Sequence, residues 1–357
     1  SKTPPPATGG PRPPPGAPTP AGPLAFDSDH LVLAVGNRAR LDLVEGLAEH
    51  AMPLKTVGDA MHIRNLVLRR VAQIELEGDP ATRCRLGHFV VMGGGFSGVE
   101  TAGELVDCLA SLRRYYPLVK AGELRVTLLQ GPQRLLLELP GRLAAAAHRS
   151  LAARGVDVRC GARAVRVRDG SVELDGGEML ASSTVICTIG TQPNPVVAAL
   201  DVPKDRGRIV VEPDLSVADR HGLWAIGDCA AIVNARDGQP APPTAQFAVR
   251  EARCLADNLL STIRGEPTRP FAHRSRGSLA AIGRRKGVAE VLGLPLAGLP
   301  AWLLWRAYYL SQMPTLGRKV RIFVEWTWGM FFPNDITHLR FHRSAGLQEG
   351  PRGSLAD

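Results

Sequence analysis

Residues 88–100, His88-Phe89-Val90-Val91-Met92-Gly93-Gly94-Gly95-Phe96-Ser97-Gly98-Val99-Glu100, constrain the fold of this chain more than any other stretch. A short buried strand runs into a glycine turn and opens a helix. Gly93, Gly95 and Gly98 follow the G-x-G-x-x-G spacing. In that pattern the first glycine permits a tight turn and the second lets backbone approach a pyrophosphate. The third lets the helix pack close to its strand. The helix start, at Phe96 and Ser97, offers N–H groups and the positive end of the helix dipole to phosphates. The required context, strand before and helix after, is present. The stretch therefore predicts an α/β unit of the Rossmann type.

The pattern on either side extends that reading. Leu31–Gly36 is an apolar run ending in glycine, and so is Thr184–Gly190. Leu124–Leu129 predicts the second strand of the unit, and helices are expected at 97–114 and 141–153. Short strands near 156–160, 163–168 and 171–174 are punctuated by Asp169-Gly170 and Asp175-Gly176, which read as hairpin turns. A helix over 56–76 starts at Thr56, with Asp59 three residues on as its capping partner. Downstream, Ile209–Val211 and Leu223–Ile226 read as strands, followed by a helix at 244–264 with Thr244 as cap. Strands near 278–282 and 287–292 precede an aromatic, apolar region at 299–332. The domains expected are a proline-rich lead at 1–23, a segment at 24–86, a nucleotide unit at 87–190, a second lobe at 191–270 and a tail at 271–357.

Composition narrows the partners. The 357 residues are 45% hydrophobic, enough for two or more cores, and carry a net charge of +9. Arginine is scattered rather than blocked, which suits an anionic membrane surface or anionic dinucleotides. No basic–aromatic recognition module is present, which argues against nucleic acid. The six cysteines are widely spaced, without metal-ligand spacing, as fits a reducing compartment. The N-terminus has no apolar signal segment and no initiator methionine, so the chain reads as a fragment or a trimmed product. No run reaches the roughly 18 apolar residues of a spanning helix.

Several residues carry candidate chemistry. Glu100, in the first turn of its helix, either satisfies the helix dipole or meets a nicotinamide carboxamide. Gln130 ends the second strand, where an NAD site usually places an acid for the ribose 2′-OH. Being neutral, it does not repel a 2′-phosphate, and Arg134 lies nearby, so NADPH is admissible. Gly227-Asp228 follows a buried strand, as expected of an acid that accepts hydrogen bonds from a ribityl chain. Pro242–Ala248 opens the next helix, whose N-terminus suits a flavin ring or diphosphate. In the tail, Trp302, Trp305, Tyr308, Tyr309, Trp326, Trp328, Phe331 and Phe332 lie among Arg306, Arg318, Lys319 and Arg321. Trp302, Trp305 and Tyr309 share one helical face. Such a mixture suits a membrane interface, a dimer interface or a capped core.

Together these residues resemble the type II NADH dehydrogenases, flavin-dependent NAD(P)H:quinone oxidoreductases built from two dinucleotide-binding domains. The resemblance covers about residues 24–340. It implies that Gly36, Gly190, Gly227, Asp228 and Ala245 belong to an FAD site. Gly93, Gly95, Phe96, Ser97, Gly98, Gln130 and Arg134 would then belong to an NAD(P)H site. Ala245-Gln246-x-Ala248 matches the start of the family's quinone-side motif, so Glu100, Gln246 and Arg250 stand nearest the implied chemistry. Quinone is the implied substrate, the aromatic tail the implied membrane contact, and the cytoplasmic side of the inner membrane the implied peripheral location. The sequence departs from the family at three places. No glycine-turn βαβ for the ADP half of FAD is found ahead of residue 24, Arg250 replaces a second glutamine, and Gln130 replaces an acid. A non-catalytic NAD(P)-binding remnant that no longer holds FAD is the competing expectation, and a disulfide reductase of the same broad fold is a third.

Overall fold

Five parallel strands form the central sheet, in the order Ala51–Pro53, Thr184–Cys187, His88–Met92, Arg125–Gln130, Val156–Cys160. The structure, a computed structural model, describes residues 26–332. The proline-rich lead expected at 1–23 and the last part of the tail lie outside the described residues. All five residues of His88–Met92 are buried, because a parallel sheet is covered on both faces. The covering helices are Val57–Leu76, Phe96–Leu112 and Gly141–Ala152. Ile63, Val67, Val71, Phe89, Val99, Leu109, Leu128 and Ala147 meet in one core. Helix Val57–Leu76 begins where the sequence predicts. Thr56 accepts from the Asp59 N–H at 3.1 Å, and Asp59 accepts from the Thr56 N–H at 2.7 Å. A three-stranded antiparallel insertion, Ala164–Arg168, Ser171–Leu174 and Met179–Ala181, follows the last sheet strand.

The chain divides into two compact units. Residues 26–38 join 191–276, and residues 39–190 join 277–332. This corrects the segment boundary expected at 86. Strand Ala51–Pro53 pairs with Val185–Cys187 and helix Val57–Leu76 packs into the glycine-turn core, so residues 39–86 belong with the nucleotide unit. The strand is only three residues long and holds a proline, which belongs on a sheet edge and gives little sequence signal.

In the other unit, Leu31–Leu33 pairs in parallel with Leu223–Ala225. Leu33, Ile209, Trp224, Phe247, Leu255 and Phe271 form its core. Helix Ala245–Arg264 starts at Thr244, but the Thr244 side chain makes no cap hydrogen bond, contrary to expectation. Asn258, buried on that helix, donates to the carbonyls of Asp214 and Arg269, each at 2.9 Å, and accepts from the Arg269 N–H at 3.0 Å.

The tail brings a three-stranded sheet, Gly277–Ala281, Gly287–Val291 and Leu294–Ala297, and helices Leu299–Gln312 and Leu316–Phe331. Helix Phe96–Leu112 carries three acids at i, i+4 and i+7, Glu100, Glu104 and Asp107, and two of them, Glu100 and Asp107, bond backbone N–H groups of this sheet and its loop. Asp107 accepts from the Arg284 N–H at 2.6 Å and from Arg154 at 2.9 Å. Burial raises the pKa of Glu104 between Glu100 and Asp107. Among the described residues no helix is long and apolar enough to cross a membrane.

Candidate functional site: two glycine turns at strand ends

The strand order reverses between His88–Met92 and Thr184–Cys187, and in open α/β sheets such a switch point opens a crevice at the carboxyl ends of the strands. The glycine turn sits there. Gly93 adopts φ +112°, a conformation side chains rarely take, and a Cβ on it would run into Ile189 and Thr188. A Cβ on Gly94 would meet Leu135 and Gln130, and one on Gly98 would strike the Gly93 carbonyl. Gly95 differs: a Cβ there would meet nothing within 4 Å. It is the N-cap of helix Phe96–Leu112, and no side chain caps that helix end. The turn is thus held from below by packing, with open space over its middle glycine and over the uncapped N-terminus. That is the arrangement an anionic diphosphate requires.

Two neutral side chains brace the turn. Gln130 is buried, accepts from the Gly94 N–H at 2.8 Å and donates to the Arg134 carbonyl at 3.1 Å. The Thr188 hydroxyl donates to the Met92 carbonyl at 2.8 Å and approaches the Gly93 carbonyl at 3.3 Å. Arg134 is not a loose cation. Its guanidinium donates to the carbonyls of Leu136, Leu137 and Leu139, at 3.3, 2.8 and 2.8 Å, and pins its own loop. These contacts revise the reading of Gln130 and Arg134: both side chains turn toward the backbone they support. Thr188 was not singled out from sequence, because a threonine after an apolar run carries no local signal.

Glu100 accepts from the Ala281 N–H at 2.9 Å, so one carboxylate oxygen ties the helix to the tail sheet. Burial, opposed by that hydrogen bond, pushes its pKa up to about 7. Gly190, at φ +68°, has the Leu43 side chain where its Cβ would be, a packing reason for glycine.

The second turn lies in the other unit. Gly36 and Gly227, at φ +62° and +71°, follow the paired strands Leu31–Leu33 and Leu223–Ala225. A Cβ on Gly36 would meet nothing within 4 Å, and one on Gly227 only the Ala248 methyl at 3.8 Å. The Gly227 N–H donates to the buried Glu251 carboxylate at 2.8 Å. Burial raises the Glu251 pKa. Asp228 sits in the short 3-10 turn that follows, and Ala245 begins the next helix. One residue on from Arg250, Glu251 was missed by the sequence reading, because a lone glutamate in an amphipathic helix reads as a solvated charge. Gln246 accepts from the Arg276 N–H at 3.1 Å, and its Oε1 lies 3.2 Å from His273 Nε2. Burial, then the positive charge of Arg250, Arg276 and Arg236, lowers the His273 pKa and favours the neutral ring. His273 is a further residue that the sequence did not single out.

Of the readings open for the aromatic stripe, the capped core is the one its packing follows. Trp302 is buried, and Trp305 packs against Tyr309 and Trp326 with ring centroids 4.7 and 5.8 Å away. Arg306 lies over the rings of Trp302 and Trp326, at 4.4 and 5.1 Å. This stripe packs helix on helix. The exposed apolar face is a different one, formed by Leu316, Val320, Phe323, Val324, Trp328 and Phe331 of helix Leu316–Phe331. That helix buries no residue.

Residues 22–252 match the family model of the pyridine nucleotide-disulphide oxidoreductases, in agreement with two nucleotide-type turns in one chain. Residues 275–335 match a second model, the NDH2 C-terminal domain. The chain belongs to the type II NADH:quinone oxidoreductases. A probable NADH dehydrogenase of Dictyostelium discoideum is 30% identical over 88% of this chain and 70% of its own length. An internal alternative NAD(P)H-ubiquinone oxidoreductase A1, mitochondrial, of Solanum tuberosum is 30% identical over 87% of this chain and 66% of its own. The chain thus spans about two thirds of the length of these relatives. The structure of NDH2 from Plasmodium falciparum in complex with NADH superposes with a TM-score of 0.83 at 17% identity, over 88% of this chain and 80% of that one, so the fold is shared. The match of residues 275–335 to the NDH2 C-terminal domain sets aside the disulfide-reductase expectation.

Proposed function

We propose that this chain is an FAD-dependent NAD(P)H:quinone oxidoreductase working at a membrane surface. The observation that carries the reading is the pair of glycine-ended strand turns, each with open space above a glycine, in a chain whose tail is of the type II kind. Gly95, Phe96, Ser97 and Gly98 would receive the NAD(P)H diphosphate on backbone N–H groups at the helix start, where the helix dipole favours negative charge, with Gly93, whose own N–H bonds the Leu129 carbonyl, making the turn beneath it. Gly36, Gly227, Asp228 and Ala245 would border FAD. Bound FAD supplies the two-electron carrier between nicotinamide and quinone. The residues of the chain fit that group: Gly36 and Gly227 leave space that any side chain would fill, and Glu251 holds the Gly227 backbone in place.

Glu100 holds a proton near neutral pH beside the nicotinamide turn. Gln246, set by the Arg276 backbone, together with Arg250, faces the quinone side of the reaction in this reading. The exposed apolar face of Leu316–Phe331 lies against the lipid headgroups, with Arg318, Lys319 and Arg321 on the same helix supplying positive charge for an anionic surface. In this reading residues 299–332 hold the chain peripherally at a membrane, the cytoplasmic side of the inner membrane being the location that the resemblance implies. Helix Leu316–Phe331 buries no residue, which also leaves room for pairing with a second copy.

The test is a visible absorption spectrum of the purified chain incubated with FAD, followed by anaerobic titration with NADH. Bound flavin that bleaches on addition of NADH, and recovers on addition of a quinone, is the expected result. A colourless protein that still binds NAD(P)H would establish the binding remnant instead.

A further inference from the structure

We propose that the dinucleotide site prefers NADPH over NADH, and that Arg163 is the residue that reads the 2′-phosphate. The proposal rests on the dinucleotide reading of the Gly93 turn and adds a substrate preference to it. Selection between the two cofactors falls at the carboxyl end of the second strand of a Rossmann unit. There an acid accepts from a free ribose 2′-OH, and a nearby arginine accommodates a 2′-phosphate. Here that strand ends at Gln130, paired with Cys160 of the neighbouring strand. The Gln130 amide is turned into the glycine turn and bonded at both ends, so neither an acid nor a free amide faces the ribose position. Arg134, the cation closest in sequence, has its guanidinium bound to three carbonyls of its own loop.

The cation that the fold brings to this lip comes from 33 positions further along the chain. Arg163 follows the adjacent edge strand, and its side chain lies across Gly131, the residue directly after Gln130. A Cβ on Gly131 would sit 2.9 Å from Arg163 Nε and 3.1 Å from its Cγ. Glycine at 131 is what lets the arginine cross the strand end. The Arg163 backbone is anchored to Asp175, which donates its N–H to the Arg163 carbonyl at 2.9 Å and accepts from the Arg163 N–H at 3.4 Å. The side chain itself is exposed, and among the described residues it enters no ion pair. A guanidinium with its donors available, fixed at its root beside a neutral strand end, matches the planar, bidentate recognition that phosphate favours.

The experiment is calorimetric titration of the full chain with adenosine 2′,5′-bisphosphate and, separately, with 5′-AMP. The two probes share adenine, ribose and 5′-phosphate and need neither flavin nor turnover. The bisphosphate is expected to bind about tenfold more tightly or better, as a charge-assisted bidentate contact implies. Arg163→Ala should lose that advantage while keeping the 5′-AMP affinity, which also shows that the variant is folded. Arg163→Glu should turn the preference toward 5′-AMP. Equal affinity for the two probes, or an Arg163→Ala variant that keeps the preference, would overturn the assignment and leave the dinucleotide site intact. If neither probe binds, the dinucleotide reading of the turn fails and the proposal falls with it.

Discussion

The two glycine turns of this chain solve one problem by different means. At Gly93 the strand passes directly into a 17-residue helix, and neutral groups, Gln130 and Thr188, hold the turn. At Gly227 the strand ends in a 3-10 turn, the following long helix begins only at Ala245, and a buried carboxylate, Glu251, reaches back to the turn. A turn that leads into a helix has that helix's N-terminus available for a ligand. Neutral braces there leave its positive potential intact. A turn separated from its helix needs a long side chain to hold it, and glutamate reaches the backbone N–H at the cost of a buried charge. Burial raises the Glu251 pKa for that reason.

The contrast breaks most sharply at Gly98. Gly98→Val would drive a side chain into the Gly93 carbonyl and should destabilise the nucleotide unit by about 3 kcal/mol or more, with loss of nucleotide binding. Gly95→Ala has space for its methyl, so thermal unfolding should hardly move while nucleotide affinity falls. A Gly98→Val protein of wild-type stability would remove the steric account.

Protonation of Glu100 gives the next effect. Its pKa is raised to about 7, so between roughly pH 4.5 and 7 the folded state binds more protons than the unfolded one. The contribution is complete below pH 4.5 and is lost as the pH rises through 7. The rise from 4.5 to about 7 sets an upper bound of about 3–4 kcal/mol. Glu100→Gln should flatten this part of the stability–pH curve, measured by urea unfolding at pH 5 and pH 8. An unchanged slope would show that Glu100 titrates normally.

Removing the braces tests the comparison directly. Glu251→Ala and Gln130→Leu each leave a backbone N–H without its partner, and each should cost about 1–3 kcal/mol. Glu251→Gln keeps an acceptor and drops the charge, so it should be close to neutral. Gln130→Glu sets an oxygen against the Arg134 carbonyl and should be destabilising. The two glutamine–glutamate exchanges therefore differ, one nearly silent and the other destabilising, and denaturation midpoints that fall by the same amount would undo the distinction. The smallest effect on stability is expected from Phe323→Asp and Trp328→Asp. Both positions are exposed, at 58% and 61%, so the fold should tolerate the change while binding to anionic vesicles weakens.

Much of the fold is legible in the chain, because periodicity and punctuation are local. The Thr56–Asp59 cap, the strand at 88–92 and the hairpin turns of the insertion stand where the pattern puts them. The three-residue strand at Ala51–Pro53 is not legible, since its identity depends on a partner more than a hundred residues away. The aromatic stripe of the tail is visible as a stripe, yet its direction is not. Trp302 and Trp305 turn inward because a second helix supplies Trp326 and the cation of Arg306 bridges the rings.

What the sequence determined by itself is the type of unit and the place of its turns. Glycine spacing after an apolar run restricts the backbone through sterics, and sterics act within a few residues. What only the tertiary structure decided is the direction of the polar side chains. Gln130 and Arg134 read as ligand groups but are held by backbone. Glu251, Thr188 and Arg163 read as ordinary residues but stand at the turns and the strand end. A polar side chain takes the partner that burial and distance leave to it, and those are set by segments far away along the chain.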